Sequence, residues 1–121
     1  MEKGKKNWVF CDGYLPPHGD NKEFEGHEAL MITNVSSMDA KIRIKILFED
    51  KPPYDNITID LNAERTTCLR LDKPIGKEGY QIPYGQYAIH VISDVPVVAC
   101  FGRLDVRQTN MAYYSPAGYG F

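Results

Sequence analysis

Hydrophobic and polar residues alternate most cleanly between Ala40 and Glu49, where Ala40, Ile42, Ile44, Ile46 and Phe48 interleave with Lys41, Arg43, Lys45, Leu47 and Glu49. A period of two sends successive side chains to opposite faces of a strand, so this run predicts a strand with one wet face and excludes a helix. Ile42, Ile44, Ile46 and Phe48 are the expected core residues. Shorter runs of the same kind lie at Trp8 to Cys11, Glu28 to Thr33, Ile57 to Leu61, Thr66 to Leu71, Gln86 to Ser93 and Met111 to Ser115. Between them stand GYLPPHGDNK, NVSSMD, DKPPYDN, LDKPIGKEG, QIPYG and SDVP, whose Gly, Pro, Asn and Asp residues break strands and set turns.

One stretch changes character partway. From Val95 to Phe101 both parities are apolar, the pattern of a strand covered on two faces. Beyond it, Arg103, Asp105 and Arg107 share the parity of Phe101, while Leu104 and Val106 keep the other side apolar. Charges about 7 Å apart at the end of a buried strand suit a grip on an anion or a hydroxyl-rich ligand. The same spacing suits a structural ladder of ion pairs or a subunit contact. With about eight short strands and regular turn punctuation, the chain predicts an all-β fold, a single-domain antiparallel β-sandwich of jelly-roll-like form. The expected domain spans residues 8–115, between a flexible N-terminus (1–7) and an aromatic, glycine-rich tail (116–121) that either frays or packs on a neighbouring subunit.

Composition narrows the functional classes. A chain of 121 residues with 43% hydrophobic and 25% charged residues is sized for one folded domain, and its formal net charge of -2 gives no global attraction to nucleic acid or anionic membrane. No apolar segment is long enough to span a bilayer, and the run behind the basic start is too short for a signal-peptide core. Cys11, Cys68 and Cys100 are odd in number and lack CxxC spacing, so they read as buried thiols of a reduced, cytoplasmic protein.

Catalytic and cofactor signals are weak. His18, His27 and His90 include no HxH pair, and His27 and Glu28 point to opposite faces of an extended segment, so no metal site is expected. His18 reads as a turn residue and His90 as a satisfied core residue. Neither a GxSxG elbow nor GxGxxG or GxxxxGK[ST] occurs, so no cofactor or catalytic residue is assigned. What remains is a set of aromatic, guanidinium and carboxylate side chains near strand ends: Trp8, Asp12, Tyr14, His27, Glu28, Arg65, Arg70, Arg103, Asp105, Arg107 and Gln108. Guanidinium and carboxylate groups bind vicinal hydroxyls or anions in fixed geometry, and Trp or Tyr stacks on an apolar ring face. These are the candidate ligand-binding residues, each with a structural role as the competing reading.

Taken together, WVFCDGYLPPHG, GHEALMITN, AERTTCLRL, QIPYG, SDVPVVACFGRLDVRQ and AYYS resemble the sensory rhodopsin transducer family from Trp8 to about Ser115. The RLDxRQ and GYxPP elements carry the resemblance most distinctively. It implies a β-sandwich subunit that assembles as a homotetramer, has a non-enzymatic signalling or small-molecule-binding role with a sugar-like ligand, and in some relatives partners a rhodopsin. Its polar positions fall here on the candidates above and on Thr66. The chain departs from the family pattern at Asp12, where Glu is common, near Cys100, where Gln is common, and at Gly102, where a hydroxyl residue is common. An enzyme of carbohydrate metabolism is the alternative from another class, and DNA binding ranks last on charge.

Overall fold

The computed structural model describes residues 4–15, 27–105, 112–114 and 116–121. Its regular elements there are all strands: β1 Lys5–Leu15, β2 His27–Asn34, β3 Ala40–Leu47, β4 Tyr54–Leu61, β5 Arg65–Arg70, β6 Gly85–Asp105, β7 Ala112–Tyr114 and β8 Tyr119–Gly120. Every pairing is antiparallel. The all-β, eight-stranded sandwich expected from the alternation is therefore borne out.

The organising element is β6. Its 21 residues would reach roughly 70 Å if straight, far more than the width of a chain this size, whose radius of gyration is about 14 Å. It has to bend, and it serves two sheets in doing so. Gly85 to Val97 lies in a first sheet of order β4-β3-β6-β1-β8, and Val98 to Asp105 continues into a second made with β2, β5 and β7. At the bend, β6 advances from Ile92 to Val97 while its partner retreats only from Asn7 to Lys5. Pro96 brings no N–H to this bulge. Substitute bonds satisfy its neighbours, with the Ser93 hydroxyl accepting from Val95 N–H at 3.3 Å and the Asp94 carboxylate accepting from Lys41 N–H at 2.8 Å. SDVP is thus a bend within one strand, where the sequence predicted a turn between two.

The core lies between the sheets. Ile42, Ile44 and Ile46 are buried as expected, together with Leu30, Ile32, Ile57, Ile89, Val91 and Phe101. Each such side chain contributes about 1.5 to 3 kcal/mol through removal from water. Phe48 is half-buried at the margin, where the Lys51 ammonium sits 4.4 Å over its ring. Two apolar expectations are corrected. Val98 is 43% exposed and Cys100 is also exposed, so a single subunit covers only the Val95, Val97, Ala99 and Phe101 side of β6. Cys11, Cys68 and Cys100 are all surface thiols, because each falls on the outward parity of its strand or in a bulge. His90 likewise stands on the outer face of the first sheet, half-buried and bonded to Asn7 at 2.9 Å.

The ends also differ from expectation. Lys5 to Asn7 already belong to β1, and the tail folds back on its own subunit as β8. Phe121 and Asn7 exchange hydrogen bonds of 2.9 and 3.0 Å.

Candidate functional site

The first turn-free residues of β2 decide where the polar side chains meet. Glu28 has the parity of Leu30 and Ile32 and is carried inward with them, to 1% exposure, while His27 takes the outward parity. A carboxylate taken out of water needs donors. Glu28 finds them on β1 and at both ends of β6. Oε1 accepts the Tyr14 N–H at 2.8 Å and the Tyr87 hydroxyl at 2.5 Å, and Oε2 accepts Nε–H of Arg103 at 2.5 Å. Arg103 also donates through Nη2 to the Asp12 carbonyl at 2.8 Å and lies 3.7 Å from the Asp12 carboxylate, which is itself largely exposed.

The bulge in β1 makes this geometry possible. Phe10 pairs with Ile89 and Gly13 with Tyr87, so Cys11 and Asp12 stand opposite Ala88 alone. A Cβ at Gly13 would lie 2.6 Å from Tyr87 ring carbons and 2.8 Å from its carbonyl oxygen. Glycine lets the ring pass close to the backbone and reach Glu28. Burial pushes the Glu28 carboxyl above its usual range, with Tyr87, Arg103 and the Tyr14 N–H pulling the other way. Burial and the adjacent Glu28 charge hold the Tyr87 hydroxyl protonated far beyond its ordinary range.

On the other face of the second sheet, at the same end, Arg70 grips Asp72 as a fork, with Nε to Oδ1 at 2.9 Å and Nη2 to Oδ2 at 2.6 Å. Burial pushes the Asp72 carboxyl up, and the fork together with the nearby His27 more than offsets it, leaving it below the usual range. Asp12, Tyr14, His27, Glu28, Arg70 and Arg103 therefore gather at one end of the sandwich. Glu28 holds Arg103 through the Nε–H to Oε2 bond. Asp105 closes β6 at that end, but its side chain, together with Arg107 and Gln108, lies outside the described residues.

Two candidates sit elsewhere. Arg65 pairs with Asn34 at the opposite end of β2, roughly 17 Å along the strand from Arg70, and donates to the Ala63 and Glu64 carbonyls of its own turn. Thr66 lies beside it and shares a hydroxyl bond of 2.8 Å with Thr33. Trp8 is half-buried against the core, stacks on Phe10 and donates to the Val97 carbonyl at 2.9 Å, bracing the bend of β6. Tyr87, Asp72 and Gly13 complete the cluster without having been singled out in the sequence. Tyr87 has the buried parity of Ile89 and Val91, and a hydroxyl on that parity is the signal that marks a buried polar partner.

Chemically, the cluster offers a guanidinium held by a buried carboxylate next to an exposed carboxylate, with an Arg-carboxylate fork on the opposite face of the second sheet. Among the described residues, no group of three His, Cys, Asp or Glu side chains comes together to hold a metal ion. A separate open cleft of about 460 Å³ lies on the outer face of the first sheet, between Lys41, Arg43, Asp60 and Lys77, and none of the candidate residues line it.

Comparison with known proteins places this architecture. The family model described as Anabaena sensory rhodopsin transducer matches residues 3–120. The crystal structure of Thermotoga maritima 1070 is similar at a TM-score of 0.82 and 37% identity, covering 98% of this chain and 96% of that one. The Anabaena sensory rhodopsin transducer is similar at a TM-score of 0.69 and 30% identity, covering 82% of this chain and 94% of that one. No curated protein matches the chain.

Proposed function

The chain belongs to the Anabaena sensory rhodopsin transducer family, and from that premise we propose that it is a non-enzymatic binding and signalling module of the cytoplasm. It recognises a small polar, sugar-like ligand at the Glu28–Arg103 end of the sandwich and relays that state to a protein partner. The observation that carries this reading is the fixed guanidinium of Arg103, held by a buried carboxylate beside the exposed Asp12. A planar guanidinium beside an exposed carboxylate suits recognition of a hydroxyl-rich ligand. The buried Glu28 is poorly placed for acid-base catalysis on a solvent-borne substrate, since its oxygens already accept from Tyr14, Tyr87 and Arg103. The module works as a homotetramer, as the family resemblance implies.

A second reading is favoured by the 30% identity to the Anabaena transducer. In it, the chain docks on a sensory rhodopsin. Co-purification with a membrane-embedded rhodopsin from the same cells supports that reading, and its failure in the presence of a ligand that binds the isolated chain favours the first.

The test is a thermal-shift screen with monosaccharides, sugar acids, inorganic phosphate and sulfate. A ligand present at about a hundredfold its Kd stabilises by about 2.7 kcal/mol, a readily measured rise in melting temperature. Arg107→Ala should melt within a few degrees of the parent and lose that rise. A panel that shifts nothing, or an undiminished shift in Arg107→Ala, overturns the assignment.

A further inference from the structure

The segment LDKPIGKEG, read in the sequence as a turn, builds one wall of the open cleft on the outer face of the first sheet. β4 is the edge strand there, and the segment takes up the backbone groups of Thr58 that β3 leaves over. Lys77 N–H donates to the Thr58 carbonyl at 3.0 Å, while the Glu78 carboxylate accepts the Thr58 N–H at 2.7 Å and its hydroxyl at 2.5 Å. Gly76, at a φ of 76°, allows this close approach, since a Cβ there would meet Ile57 Cγ2 at 2.7 Å. The opposite wall is the bend of β6, whose pairing with β3 ends at Ser93 and which sets the Asp94 carboxylate against Lys41 N–H at 2.8 Å. Between the walls, Arg43 stands in one row with Thr58 and Ile92, and Lys41 stands in the next with Asp60.

We propose that this cleft binds a small organic carboxylate, its carboxylate between Lys41 and Arg43 and its hydrocarbon body over Ile92. The site is separate from the Glu28–Arg103 end and does not depend on the ligand proposed there. Charge selects an anion. Lys41, Arg43 and Lys77 line the cleft with Asp60 and Asp94, an excess of one positive charge in a chain whose net charge is -2. Both carboxylates are already engaged. Asp60 takes the Lys77 ammonium at 2.6 Å, and Lys77 and Lys41 together hold its carboxyl below the usual range, while Asp94 is bonded to the backbone of Lys41. Among the described residues the ion-pair partner of Arg43 is Asp55, at 3.8 Å, beyond hydrogen-bond length. The excess is felt one row along β3, where Lys45 and Arg43 add to burial in disfavouring the His90 imidazolium. Size and surface then select an organic body. A volume of about 460 Å³ is many times the ~30 Å³ that a water molecule occupies in the liquid, so a bare ion would leave most of the cleft to solvent. Ile92, half-buried beside Arg43, supplies an apolar floor next to a guanidinium whose planar fork matches a carboxylate.

Benzoate is the probe, because it joins one carboxylate to an apolar ring. Native protein is titrated with benzoate, acetate and benzyl alcohol at matched ionic strength, and amide NMR locates each one. Benzoate should bind saturably, with a Kd on the order of 1 mM, and should move the amides of Lys41, Arg43, Thr58, Lys77 and Ile92. Acetate lacks the ring and benzyl alcohol lacks the charge, so each should bind about tenfold or more weakly. Lys41→Gln and Arg43→Gln, both at exposed positions, should melt with the parent and each weaken benzoate by about tenfold. Equal affinity for acetate would mean an adventitious ion only and overturns the proposal, as does equal affinity for benzyl alcohol. Undiminished binding in both variants, a titration that never saturates, or shifts confined to Asp12 to Tyr14 and Gly102 to Asp105 also overturns it, the last by placing benzoate at the Arg103 end.

Discussion

Replacing Arg103 with Met isolates the energetic role of the guanidinium, because Met keeps much of the apolar stem and removes every donor. Glu28 would keep the Tyr14 N–H and the Tyr87 hydroxyl but lose the partner at Oε2. With Glu28 1% and the Arg103 side chain 12% exposed, the pair is buried, and breaking one member of a buried pair costs about 3 to 5 kcal/mol. Against a total of roughly 5 to 15 kcal/mol, that is a large share of stability. The loss depends on pH with a definite sign. Burial already raises the Glu28 carboxyl above its ordinary 4.5, so its contribution is fully present below that value and is lost as pH rises through the folded value. Arg103 is one of the groups holding the folded value down. Arg103→Met lifts it further, so the variant's deficit should be small near pH 4.5 and largest above neutrality. Urea unfolding of parent and variant across that range, fitted with a common m-value, measures it. A deficit under about 1 kcal/mol at pH 7.5, the magnitude of a surface pair, or one that grows on acidification, would refute the reasoning.

Other consequences follow from the same geometry. Gly13→Ala should destabilise by about 1 to 3 kcal/mol, since its Cβ meets the Tyr87 carbonyl oxygen at 2.8 Å; chemical denaturation within a few tenths of the parent would contradict this. Arg65→Ala should change stability by no more than about 0.5 kcal/mol and leave ligand binding intact, because its contacts stay within its own turn. His90 should titrate below its ordinary 6.5, as burial and the neighbouring Lys45 and Arg43 disfavour the imidazolium. Its contribution to stability is therefore present above 6.5 and lost as pH falls through the folded value, and imidazole NMR shifts against pH read the midpoint directly.

Much of the architecture was legible because burial and alternation are local. β3 follows residue by residue from the Ala40 to Phe48 pattern, and the opposed directions of His27 and Glu28 follow from extended geometry alone. What escaped depends on pairing across the fold. SDVP carries the residues of a turn, and only the register of β6 against β1 shows that it bends a strand. Glu28 and Tyr87 are far apart in the chain, and their meeting requires the Gly13 bulge, whose effect is visible only once β1 lies on β6. The thiols were expected inside because their segments are apolar. Parity decides otherwise, placing Cys68 and Cys100 beside Met31 on the outward face. Arg65 and Arg70 look equivalent in AERTTCLRL, yet their positions at opposite ends of β5 separate a turn-capping residue from one beside the polar cluster.

The central claim is that the Glu28–Arg103 end of the sandwich is where a small polar ligand binds. Amide NMR of the native protein, titrated with the sugar or anion that gives the largest thermal shift, tests it most directly. Shift changes should concentrate at Asp12 to Tyr14, His27 to Ala29, Arg70 to Asp72 and Gly102 to Asp105. Changes confined to Lys41, Arg43, Thr58, Asp60 and Lys77, which line the cleft on the outer face of the first sheet, would contradict it.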